Sequence, residues 1–275
     1  QLLPNPVADK RTLIRRATLD LIGLPPTPEE VDAFLADASP TAFETVVERL
    51  LSSPRYGERW ARHWLDIARY ADSNGLDENL AFANAWRYRD YVIEAFNSDL
   101  PYNEFLREQL AGDLLPQSSR QDVQLRRIVA TGFLSLGAKM LAEDDPVKME
   151  MDIIDEQVDT LGKAVLGMTF GCARCHDHKF DPISAHDYYA FAGIFKSTKT
   201  MDNFKVVARW QERPIALPET VAERDRQKAA AEAVQVDITQ RMQQESDRIT
   251  GEARLQLAAY LLAAERQLRL DELLE

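Results

Sequence analysis

With 275 residues, 45% of them hydrophobic, the chain can bury a substantial core; wholesale disorder is excluded, and one large domain with room for an appendage is expected. The formal charge of -12, from 33 basic against 45 acidic residues, repels polyanions and argues against nucleic acid and anionic membrane surfaces as partners. No run of about 18 apolar residues exists, so no membrane insertion by this chain is expected, and two cysteines are too few for a disulfide framework. The residues from Gln1 onward show no signal-peptide pattern, so any such segment is expected outside this stretch or already removed.

In chain order, residues 11–21 read as a short helix. Thr27, Pro28 and Glu30 supply an N-cap, a first helical position and a reciprocal third position, the capping-box start of a helix to about residue 38. A helix over 41–51 completes an N-terminal cluster. Ser53-Pro54 opens the next one, on which Tyr56, Trp60, His63, Ile67 and Tyr70 recur at alternating intervals of four and three, so His63 is expected on an aromatic face turned inward. After the turn-rich Asp72-Ser73-Asn74-Gly75, a helix over 84–97 carries Trp86, Arg89, Ile93 and Phe96 on one side; an arginine within an apolar stripe asks for an anionic partner. The oxygen-rich Asp72, Asn74, Asp77 and Glu78 resemble a cation loop, but Gly75 is misplaced for an EF-hand and turn chemistry accounts for them.

Helices over 102–111 and 121–131 follow. Beyond Asp145-Pro146, the residues Val147, Met151, Ile154, Val158, Leu161, Val165 and Met168 form an unbroken stripe, the mark of a central core helix that ends near Gly167 and Gly171. Ser184 and Asp187 cap a shorter helix on which Tyr188, Phe191 and Phe195 share a face. Between 199 and 218 the pattern loosens, and 205–210 is the one plausible strand. From 219 to 275 the composition shifts to Ala, Glu, Gln, Arg and Leu without proline, as in a long helix or helical hairpin, with Gly251 as the place for a bend. The expected fold is therefore mainly α: an irregular multi-helix domain over 1–200, an irregular linker with at most a short strand over 201–218, and a long helix or helical hairpin as connector over 219–275.

The densest chemistry lies in Cys172-Ala173-Arg174-Cys175-His176, followed by Asp177 and His178: both cysteines and two of four histidines. The form C-x-x-C-H is the attachment signature of a covalent c-type haem, in which one turn presents two thiols to the vinyl groups and the adjacent His176 ligates the iron. Two alternatives stay open. Tetrahedral zinc would take the two thiolates with His176 or His178, and His63 as a further candidate, although a second, separated ligand pair is hard to find, and a dithiol or disulfide needs only the cysteines.

The words from Arg62 to Asp72 (RHWLDIARYAD), Trp86 to Asp90 (WRYRD), Ala111 to Pro116 (AGDLLP) and Gly171 to Pro182 (GCARCHDHKFDP) occur in this order and resemble the planctomycete cytochrome-c-like family of domains of unknown function. The resemblance runs from about Arg11 to about Thr200. It implies a periplasmic or secreted piece of a large multidomain protein, normally set between a cytochrome-c-like module and a larger C-terminal domain, and it suggests haem without supplying a reaction.

With His176 as proximal ligand, His178 is excluded from the opposite haem face, because two residues span at most about 7 Å between Cα atoms. His63 is the candidate distal ligand, its alternative being a buried histidine bonded to a carboxylate or backbone group; Met151 and Met168 are weaker candidates on the core stripe. Arg89, Arg174 and Arg69 are candidates for the haem propionates, which guanidinium binds through paired hydrogen bonds, while His186 reads as a surface residue. The expected function is electron transfer by an exported haem domain to redox partner modules or proteins, with adjacent domains of the full-length protein as the expected partners. The alternatives are a haem-dependent oxidative enzyme module with an open iron site, and a structural or scaffolding domain whose C-x-x-C-H binds zinc or closes a disulfide.

Overall fold

The computed structural model describes residues 6–76, 78–204 and 207–274. Among these it contains ten α-helices: α1 (Lys10–Ile22), α2 (Pro28–Ala36), α3 (Ala42–Leu51), α4 (Pro54–Ile67), α5 (Ala85–Asn97), α6 (Tyr102–Ala111), α7 (Gln121–Ala130), α8 (Pro146–Leu161), α9 (Ala185–Lys196) and α10 (Pro218–Leu274). One short antiparallel pair, β1 (Met201–Asn203) and β2 (Arg209–Trp210), is the only sheet among the described residues. The chain divides into one unit that ends at Ile215 and a second that begins at Ala216. The fold is thus mainly α, with a single long C-terminal helix rather than a hairpin, and Gly251 lies inside that helix without interrupting it.

The helix starts follow local chemistry. Thr27 Oγ1 accepts the Glu30 N–H at 3.3 Å while the Glu30 carboxylate accepts the Thr27 N–H at 2.9 Å, the reciprocal box that opens α2. Ser184 and Asp187 close the same box at α9, at 3.1 and 2.9 Å. Asp145 caps α8 by accepting from Val147 and Lys148.

Three apolar clusters result. Ile14, Phe34, Ala42, Val46 and Leu50 join α1 to α3. The main core gathers Trp64, Tyr88, Tyr91, Val92, Phe105, Phe133, Val158, Ala173, Tyr188 and their neighbours from α4 through α9. The third places Leu141, Met149 and Ile153 under Met201 and Ala208 of the β1–β2 hairpin, so the stretch expected as a linker is packed against the first unit. The expected strand over 205–210 is realised at Arg209–Trp210, its residues Lys205 and Val206 lying outside the described residues, as does Asp77.

Three expected faces are corrected. On α4 the buried residues are Gly57, Ala61 and Trp64, followed by Ala68, while Trp60, His63 and Ile67 are exposed. Small residues at that spacing let α4 approach α5 closely, and this outweighs the larger apolar area of the aromatic stripe. On α5 the core takes Ala85, Tyr88, Tyr91, Val92 and Ala95; Arg89 points to solvent and pairs with its neighbour Asp90 at 2.8 Å. On α8 the stripe is turned as well, with Met149 and Ile153 buried and Val147 exposed, whereas Ile154, Val158 and Leu161 are buried as expected.

Candidate functional site

The Cys-x-x-Cys-His segment is positioned by α8. After Leu161 the helix widens into a π turn, Gly162–Leu166, and stops at Gly167, whose φ of 66° is the left-handed conformation that glycine adopts without steric cost. Gly162 has a different reason to lack a side chain. A Cβ there would come within 2.6 Å of the Phe170 ring, so the returning chain packs directly on the helix backbone.

Phe170–Arg174 then forms a single 3₁₀ turn with Cys175 as its C-cap. Successive positions i and i+3 eclipse in such a turn, which directs Cys172 and Cys175 to the same side. Both thiols are free and exposed. Behind them Ala173 is fully buried in the main core, and Phe170 packs against Phe191 of α9 at 5.4 Å.

The back of the turn is held by a row of carboxylates on α8. Asp159 accepts the Gly171 N–H at 3.1 Å, Asp152 accepts from Arg174 Nη2 at 2.9 Å, and Asp155 pairs with Arg174 Nη1 at 3.1 Å. The Tyr188 hydroxyl donates to Asp155, and Tyr189 donates to the Arg174 carbonyl at 3.0 Å. The hydrogen bond to Asp152, reinforced by Asp155, raises the Arg174 pKa. Arg174, expected to bind a propionate, is therefore already neutralised and acts as an anchor. Sequence reasoning missed this row, although Asp152, Asp155 and Asp159 stand at helical spacing on one face.

The two histidines of the motif have different hydrogen bonding. His176 is exposed, and its Nδ1–H donates to the Asp177 carbonyl at 2.7 Å, which leaves Nε2 without a protein partner among the described residues. His178 is spent on the loop. Its Nδ1 accepts the backbone N–H groups of Asp181 at 2.7 Å and Phe180 at 3.2 Å, so Nε2 carries the proton and donates to Thr169 Oγ1 at 2.9 Å. With both nitrogens engaged and only 7% of its side chain exposed, His178 is a structural residue.

His63 is not brought to this site. It stands exposed on α4 with its ring 5.4 Å from that of Trp60, and α4 packs against α1 and α5, whereas Phe170–Arg174 packs against α8 and α9. Among the described residues no three His, Cys, Asp or Glu side chains converge as a metal site. Met151 and Met168 are partly buried packing residues of the main core, and His186 is an exposed residue of the first turn of α9.

Arg69 is committed elsewhere. It sits at the end of α4 with φ of 55°, donates to the Leu136 carbonyl, and pairs with Glu156, whose second oxygen lies 2.7 Å from Lys139 Nζ. Burial lowers the Arg69 pKa to about 10 against the opposing pull of Asp159. The Lys139 side chain is completely buried, bonded to the carbonyls of Ser135 and Leu136, and lies over the Trp210 ring at 5.4 Å. Burial, and then Arg69, push its pKa well below that of an ordinary lysine. Asn74, also fully buried, ties the preceding loop to the same segment by donating to the Lys139 carbonyl at 3.0 Å.

The first unit is thus a helical scaffold that displays a thiol pair beside a histidine with one ring nitrogen hydrogen-bonded. The chain belongs to the PSCyt2 family, described as a protein of unknown function (DUF1549), whose family model matches residues 1–200; it is a planctomycete-type domain. No curated protein and no solved structure matches the chain. No helix among the described residues is long and apolar enough to cross a membrane.

Proposed function

We propose that this chain is an exported c-type haem domain that transfers electrons to redox modules of a larger protein. The observation that carries the reading is the hydrogen bonding of His176. A histidine that ligates iron characteristically gives its other ring N–H to a carbonyl or carboxylate, which fixes the ring and leaves one lone pair available, and His176 has that pattern through Asp177. The thiols of Cys172 and Cys175, free and on one side of a 3₁₀ turn, suit thioether attachment, and the α8 carboxylates hold the turn from behind. When bound, haem supplies a one-electron iron couple whose potential the surrounding groups tune.

The test is expression in a host with haem-maturation machinery. The expected product is coloured, shows a Soret band and keeps its haem through acid-acetone extraction, and Cys172→Ser with Cys175→Ser abolishes the colour. A colourless, iron-free protein overturns the reading, and zinc found by elemental analysis and lost in Cys172→Ser points to a structural metal instead. A second reading, an iron with an accessible sixth position and oxidative chemistry, is favoured by the exposure of His63 on a helix that packs elsewhere. Carbon monoxide binding to the reduced protein supports it, and a low-spin spectrum without carbon monoxide binding excludes it.

A further inference from the structure

The loop after the motif is unusually well fastened for one that displays an aromatic ring to solvent. The His178 ring accepts two backbone N–H groups, its backbone N–H donates to the Ile183 carbonyl at 2.8 Å, and Ile183 is buried. Asp177 accepts the Ala185 N–H at 2.8 Å, which ties the loop to the capped start of α9. Yet Phe180, whose backbone is gripped by His178, is 82% exposed, and the Lys179 ammonium lies over its ring at 5.2 Å. Among the described residues no carboxylate pairs with Lys179.

The same fastening ties this loop to the residue that opens the cysteine turn. Thr169 accepts the Cys172 N–H at 3.2 Å through its carbonyl and meets His178 Nε2 through its hydroxyl, so one residue joins the cysteine turn to the loop. Tyr189, 54% exposed and hydrogen-bonded to the Arg174 carbonyl, adds a second aromatic ring next to the turn. A rigid backbone that holds a phenyl ring in water, next to an unpaired cation, fits a flat apolar ligand with an anionic edge.

Resting on the haem reading above, we propose that the His178-locked loop is the haem-facing wall of the site: Phe180 provides apolar contact to the porphyrin and Lys179 the positive charge for one propionate. These residues replace Arg89 and Arg174 in that role, since both arginines are already paired, with Asp90 and with Asp152 and Asp155.

The test uses the matured holoprotein and spectroelectrochemical titration, with Leu114→Ala, an exposed site between α6 and α7, as control. Phe180→Ala is expected to shift the Soret maximum and lower the midpoint potential by admitting water to the porphyrin. Lys179→Met is expected to lower the potential by removing a cation that favours the reduced iron, Lys179→Glu to lower it further, and Lys179→Arg to keep the wild-type value. If haem remains covalently bound while the Phe180 and Lys179 variants titrate like the control, the wall is overturned and the haem reading stands. A wild-type protein without covalent haem overturns both.

Discussion

Two irregular regions lean on adjoining faces of α8, and they use charge differently. On one face Glu156 gathers Arg69 and Lys139 from two loops, and the carbonyls of Ser135 and Leu136 accept further hydrogen bonds from the two cations. On the adjoining face Asp152, Asp155 and Asp159 grip the Cys-x-x-Cys-His turn from behind, and the groups in front (two thiols, the Nε2 of His176 and the side chains of Lys179 and Phe180) have no protein partner among the described residues except the Lys179–Phe180 stack. The contrast separates ionic groups that build structure from reactive groups that structure displays. A cluster rich in titratable residues is here the poorer functional candidate, because its charges are paired with one another.

The largest expected effect breaks the buried side of this comparison. Glu156→Gln leaves two cations in the interior without their carboxylate, and removal of one member of a buried ionic set costs about 3–5 kcal/mol. Urea denaturation of the variant should show that loss, and a shift below about 1 kcal/mol would mean that the cluster is far better hydrated than its burial implies. The cysteine turn on the adjoining face of α8 is expected to tolerate its own losses better. His178→Ala removes the acceptor of two backbone N–H groups and the donor to Thr169, a cost of about 1–3 kcal/mol for the donors left unsatisfied. Its signature is local: hydrogen exchange should accelerate over residues 177–183 while α8 stays protected, and uniform acceleration across the first unit would refute a local role.

Much of the scaffold was legible because capping chemistry is local. Thr27 with Glu30, Ser184 with Asp187 and Ser53-Pro54 mark helix starts that need no tertiary information. The face of α4 was misread because apolar size was taken as the guide. The aromatic residues Tyr56 and Trp60 and the adjoining His63 outweigh Gly57, Ala61 and Ala68 in any hydrophobic pattern, yet close helix contact is made by the small ones and Trp64. Arg89 was misplaced for the same reason. The motif itself could be read as a word, but the fate of its residues could not: Arg174 depends on carboxylates about twenty positions earlier, and the Arg69, Lys139 and Glu156 cluster exists only after three distant segments converge.

The smallest effect concerns pH and sharpens the display side. Asp152 is partly buried, which pushes its pKa upward, but the hydrogen bonds from Arg174 and Lys148 outweigh this and hold it below its ordinary 3.8. A carboxyl with a depressed folded pKa binds its proton more readily in the unfolded chain. Its contribution is therefore complete above 3.8 and is lost as the pH falls through the lower folded value. The pair is a third exposed, so the energy at stake is about 1 kcal/mol or less. Protection factors at residues 170–176 should be constant from neutrality down to about pH 5 and fall only below the ordinary carboxylate range. Asp152→Asn should show the weakened protection at every pH. If protection instead fell near pH 6, a histidine rather than the α8 carboxylates would be controlling the turn, and the division between a satisfied back and an open front would have to be redrawn.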